Sequence, residues 1–281
     1  MNALHPPHLS GTAARHIAGF GRYLRVLIVF YRTSIQAEME YRADFLTRVV
    51  ASLLGLLTTV GSLSIAFQYT DNLKGWTFSQ AMVFLAVYYL MDGLIEMLIG
   101  PNLRQIASYV REGTLDFVLL KPLNAQFMAS LRTVNIWRGA NVLVGFGLAG
   151  YSISNMPAES GIRSAVLFCV ALLAGLLIIY SFWLMLVTLT FWFVRVDNID
   201  QIVWQAFEAG RYPVEIYPRW LRSTLTYVIP VALMITVPAR SLTGRIDGWH
   251  IAGAVAVALA MFCFATLFWR IGLRSYTGAS A

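Results

Sequence analysis

The chain has 281 residues, of which 58% are hydrophobic and 12% charged, with a mean hydropathy of +0.65. Soluble domains carry about 25% charged residues, so composition argues against a water-soluble enzyme, and uninterrupted apolar runs argue against a β-barrel, whose strands alternate over about ten residues. The formal charge of +7 fits the Lys and Arg surplus of membrane-flanking segments better than nucleic-acid binding, since no basic run is interleaved with exposed aromatics.

Residues 1–16 hold Pro6, Pro7 and three of the four histidines, and they read as a disordered tail without the apolar core and cleavage site of a signal peptide. Over 17–44, Ile17, Phe20, Leu24, Leu27, Ile28 and Tyr31 recur at helical spacing among Arg15, Arg22, Arg25 and Arg32. That pattern predicts an amphipathic helix lying at a lipid surface. Apolar segments then predict spans at about 46–67, 79–99, 134–151, 163–194 and 249–269.

Asp92 and Glu96 sit at i, i+4 inside the second span and so share one face. Two buried carboxylates there call for hydrogen bonds or a cation, with Arg132, Arg138 or the interfacial helix as sources. Gly145, Gly147 and Gly150 in the third span suit close helix packing. Cys169 and Cys263 lie far apart inside apolar runs, with neither disulfide nor zinc spacing.

Between the second and third spans, 101–126 reads as a polar connection. Leu103, Ile106 and Val110 share a helical face while Arg104, Arg111 and Glu112 project elsewhere; Gly113 ends that helix and Pro122 closes the following short run. Lys and Arg concentrate on the side of this connection and of both chain ends, which predicts cytoplasmic termini. Cytoplasmic termini require an even number of crossings, so one more must fall between about 195 and 246.

Two placements satisfy that requirement. Either 195–219 is a cytoplasmic loop and 221–239 crosses, or the chain crosses as a short polar helix at 198–212 and 219–240 dips back as a hairpin. Asp197, Gln201, Gln205 and Glu208 share one helical face, and Arg211 lies within ion-pair reach of Glu208. Such a face suits a polar path between helices, where intramembrane ionisable groups carry function.

The layout resembles the permease subunits of type-two ABC exporters, over about 17–275. The matching residues are Ala209, Gly210, Pro213, Pro218, Trp220, Leu221, Pro230 and Arg240, and "EGTLDFVLLKPLN" at 112–124 looks like the cytoplasmic segment of a subgroup whose permeases occur as pairs. The fifth helix here is more charged than is usual in that family. The resemblance implies an all-α polytopic membrane protein: six transmembrane helices, an N-terminal amphipathic interfacial helix, and a re-entrant outer helical hairpin after the fifth helix. It implies a single transmembrane domain at 17–275 in the plasma membrane (the bacterial inner membrane).

It further implies ATPase coupling through Arg104, Arg111, Glu112, Gly113, Thr114, Leu115 and Asp116, and a translocation path or dimer interface at Gln201, Gln205, Glu208 and Arg211. No phosphate-binding loop, H-E-x-x-H or G-x-S-x-G occurs. Neither a metal site nor a cofactor is therefore expected in this chain, with ATP and Mg bound by separate ATP-binding-cassette ATPase subunits. A second permease, itself or a related chain, and membrane lipids are the other expected partners. The alternatives are an ion-coupled carrier using Asp92, Glu96 and Glu208, and a membrane-embedded lipid-modifying enzyme.

Overall fold

The computed structural model of the chain describes residues 11–39, 42–154, 162–193, 198–244 and 246–276. Among them every regular element is helical, and an isolated bridge between Leu73 and Trp76 closes the turn after the second helix. Arg195 and Asp197 lie outside the described residues, as do residues 1–10 of the expected tail.

Helix α1 spans Gly11–Glu38, so it begins inside the stretch expected to be tail. Val26 and Phe30 pack on the core while Leu24, Ile28 and Val29 stay exposed. It is held against the 124–137 region: Tyr23 meets the Phe127 ring edge-on at 4.8 Å, and the indole N–H of Trp137 donates to the Glu38 carbonyl at 2.8 Å. Helix α2, Arg42–Gln68, follows and turns Leu53, Leu54, Leu57 and Ile65 outward.

Helix α3, Phe78–Leu94, is the hub of the molecule, with Val83, Phe84, Ala86, Leu90 and Met91 almost wholly enclosed. Thr77 and Gln80 close a capping box at its start. The sequence predicts a span ending near residue 99 and a separate polar connection from 101. Instead a π turn at Ile95–Ile99 leads directly into α4, Gly100–Arg111, and helix runs unbroken over Phe78–Arg111. Pro101 has no N–H to give the Met97 carbonyl four residues back, and that carbonyl instead accepts the Asn135 N–H at 3.0 Å. With its free acceptor satisfied from outside, the helix carries the proline at small cost.

Beyond α4 come short helices α5, Asp116–Leu119, and α6, Ala125–Ser130, the latter capped by the Asn124 side chain on the Phe127 N–H. Helix α7, Gly139–Ser154, packs along α3. A methyl group on Gly145 would lie 2.7 Å from the Leu90 nitrogen, and one on Gly93 would lie 2.6 Å from the Val142 nitrogen. These two glycines bring the backbones together. Gly147 and Gly150, expected to do the same, face open space.

Helix α8, Ile162–Thr188, continues as a 3₁₀ turn to Phe191 and pairs with α12, Gly248–Ser275. Between them lie α9, Ile199–Glu208, with a 3₁₀ extension to Arg211, and a hairpin of two arms, Arg219–Val228 and Ala232–Leu242, bent by 77°. The first arm contains α10, Arg219–Ser223, and the second α11, Val237–Leu242. Each arm includes a π-helical turn, and Pro230 stands at the bend. The second arm is buried on α8, where Gly175 admits the Met234 backbone. Irregular backbone at membrane depth is tolerated where protein covers it.

Among the described residues four helices are long and apolar enough to cross a membrane, Val49–Gln68, Phe78–Arg111, Ile162–Phe191 and Gly248–Ser275, or five if the bent pair counts as one. Of the six crossings expected, α7 has 16 residues and α9 has 10. At about 1.5 Å per residue, both fall short of a hydrocarbon core about 30 Å thick.

Candidate functional site: a charged cavity beside the central helix

Helix α9 runs antiparallel to the central helix, from Asp200 beside Arg104 to Glu208 beside Tyr88. Hydrophobic residues Ile199, Val203 and Phe207 are buried at i, i+4 and i+8, and Phe207 stacks on Tyr88 at 5.1 Å. Burying that stripe turns Gln201, Gln205 and Glu208 outward, and all three are exposed. The polar face foreseen in the sequence is therefore present, lying alongside the middle of a span rather than beyond its end.

Between α2, α3, α7 and α9 opens a cavity of about 620 Å³. Asp92, Glu96, Arg104, Arg138, Glu208 and Arg211 all line it. Glu96 is the most enclosed of these, 3% exposed. Its carboxylate pairs with Arg104, and Arg138 approaches its other oxygen at 3.4 Å. Arg104 also donates from Nε to Asp200 Oδ1 at 2.7 Å and lies over the Trp183 ring at 5.5 Å. One guanidinium thus ties α3, α4, α8 and α9 together. Its planar fork of donors allows this, where a lysine ammonium offers only a point charge.

Asp92 is served differently. Its carboxylate accepts from the Asn141 amide, whose oxygen in turn accepts from Ser52, so the chain of hydrogen bonds joins α3, α7 and α2. Toward the other end of the cavity, Arg211 pairs with Glu208 at 2.5 Å, as the i, i+3 spacing predicts. The Tyr88 hydroxyl donates to Glu208 Oε2 at 2.9 Å and accepts from Arg211 at 3.4 Å, while the Arg211 guanidinium sits 5.1 Å from the Tyr88 ring centre. Three arginines meet Glu96, Asp200 and Glu208 along the cavity while Asp92 is held by the Asn141 amide, which makes it a polar seam.

The sequence-predicted residues divide in two. Asp92, Glu96, Glu208 and Arg211 meet in this one cavity, and Arg104, assigned to the connection, joins them instead of projecting away. Gln201 lines an adjacent pocket with Arg104 and Asp200. Arg132, offered as a partner for the carboxylates, hydrogen-bonds the Tyr109 hydroxyl instead.

The remaining connection residues lie at the far end of the central helix. Arg111 and Glu112 are exposed at the close of α4, and Gly113 turns the chain with φ +67°. Leu115 is fully buried and the Thr114 hydroxyl points inward. Phe117 on α5, 70% exposed, and Leu120 just after it, 81% exposed, point outward. Neither stood out in the sequence, although "DFVLL" gave a signal. A helix of four residues has too few turns to bury so many apolar side chains.

A family model described as an ABC-2 family transporter protein matches residues 53–280, well over half of the chain. Among curated proteins, none matches.

Proposed function

Because the chain belongs to the ABC-2 family of transporter proteins, and is thus a multi-pass permease subunit, we propose that it forms one half of an exporter for a hydrophobic or amphiphilic substrate, lipid or glycan. Separate ATPase subunits drive it, and a second permease, itself or a paired chain, completes the path. Both termini and the 112–124 segment face the cytoplasm, α9 is inserted in the membrane as the fifth helix, and the hairpin after it re-enters from the outer side.

One observation carries this reading. Gln201, Gln205 and Glu208 are exposed on a helix lying alongside the middle of a span. A charged group facing hydrocarbon costs about 2.5–3.5 kcal/mol on insertion scales, so such a face requires a polar cover. A water-filled path between two permeases supplies one. The Glu208–Arg211–Tyr88 cluster then seals or lines that path, and the Glu96–Arg104–Asp200 cluster holds its wall in register.

Exposure supports a docking surface for the ATPase at the end of α4. Arg111 and Glu112 there, with Phe117 on α5 and Leu120 just after it, form a small apolar knob rimmed by charge, suited to a groove in a soluble partner. Gly113, Thr114, Leu115 and Asp116 shape the turn that presents it.

The test replaces Glu208 and Arg211 together by alanine and follows substrate export and ATPase co-purification in parallel. Export falls by about tenfold or more, the consequence of losing roughly 1.4 kcal/mol at the path, while the ATPase still binds. Unimpaired export in the double variant would remove the path from α9. Export by the purified chain without any ATPase would favour an ion-coupled carrier.

A further inference from the structure

At the end of the molecule where α3 and α12 begin, the bent hairpin encloses a second polar pocket of about 580 Å³. At one wall, Arg240 donates to Glu215 at 2.6 Å and rests 5.9 Å from the centre of the buried Trp76 ring, so these two charges cancel and are fixed in place. Across from them stand Arg219 and Arg222, which also line the pocket. Three residues apart on α10, they share a helix face. Both are exposed, and among the described residues neither has a carboxylate partner. The pocket therefore carries about two uncompensated positive charges. Thr236 lines it too, and its buried hydroxyl oxygen has no hydrogen-bond partner.

The pocket's surroundings indicate the depth at which it lies. Trp220, Tyr227 and Trp249 stand 71%, 84% and 84% exposed around it. Aromatic side chains this exposed on a membrane protein concentrate at the headgroup level, where their amphipathic rings are at home. Val214, Ala232, Leu233, Val237 and Ile246 give the lining an apolar part, beside Ser223, Thr226 and His250. Paired guanidinium forks beside an apolar wall, at headgroup depth, match one kind of ligand.

We propose that this pocket binds the phosphate group of a membrane amphiphile. Arg219 and Arg222 each direct N–H donors to phosphate oxygens, Thr236 donates to an ester oxygen, and the chain attached to the phosphate lies on the apolar wall. The assignment concerns the isolated chain and stands apart from the export reading, since neither an ATPase nor the α9 cluster enters it.

The experiment uses the full purified chain in detergent and measures binding by native mass spectrometry. The probes are short-chain phosphatidic acid, diacylglycerol of equal chain length, and inorganic phosphate. Phosphatidic acid binds at least about tenfold more tightly than either of the others. R219A/R222A abolishes that preference, R219K/R222K keeps part of it through charge alone, and Arg163→Ala, a charge removed outside the pocket, leaves it intact. Equal binding of diacylglycerol, or a preference that survives in R219A/R222A, overturns the proposal. Inorganic phosphate binding as tightly as phosphatidic acid would likewise overturn the assignment to an amphiphile.

Discussion

Glu96 holds two arginines from one enclosed carboxylate, and its environment explains why a charge is stable inside a span. Arg104 and Arg138 supply the positive charge, and their stems reach outward so that both remain about one-third exposed on the side chain. Removing one partner of a buried pair costs about 3–5 kcal/mol. Partial exposure of the guanidiniums lets water compensate them, so Glu96→Ala is expected to cost about 1–3 kcal/mol. Glu96→Gln, which keeps the shape and loses the charge, falls between that variant and the parent. Thermal unfolding of the purified chain checks both, and an unchanged midpoint for Glu96→Ala would mean the pair is effectively solvated. From the sequence, the pairing of Asp92 and Glu96 on one face was legible because i, i+4 fixes it. Their partners were only half legible: Arg138 was among the sources foreseen, whereas the family resemblance assigned Arg104, within the 101–126 connection, to another task.

At the scale of the element, α3 and α7 approach as closely as backbones allow. Gly145→Ala places a methyl 2.7 Å from the Leu90 nitrogen and 2.9 Å from the Ala86 oxygen, atoms that no rotamer change moves aside. The helices must separate, at an overpacking cost of about 1–3 kcal/mol. Gly147→Ala meets nothing within 4 Å and is expected to be neutral or slightly stabilising, since alanine is the better helix former by about 1 kcal/mol. Midpoints measured side by side for the two variants give the contrast, and equal effects would contradict the packing. Small residues at 145–150 announced close packing in the sequence, but the rotation of α7 about its axis decides which of them is used. That rotation is set by contacts some 50 residues away. The bounds of α9, expected at 198–212, were as legible as those of the long apolar runs α8 and α12, but its place beside the central helix rests on Phe207 meeting Tyr88 far back in the chain.

At the scale of the whole molecule, the two polar clusters, the knob on α5 and the bent hairpin are all fastened to the helix over Phe78–Arg111. Replacing Phe117 and Leu120 by alanine removes two large apolar side chains from the surface without touching the core. Each contributes about 1.5–3 kcal/mol when fully buried by a partner, so co-purification of the ATPase is expected to fall at least tenfold while the chain's own unfolding midpoint holds. Retained co-purification would place the partner elsewhere. Thirty-four residues of uninterrupted helix make a strut about 51 Å long. Push rods work by refusing to shorten. This one joins Arg111 to Tyr88, whose phenol grips Glu208, through the wider π coil at Ile95–Ile99. Within that coil the Met97 carbonyl, which Pro101 cannot serve, is pinned from the side by the Asn135 N–H.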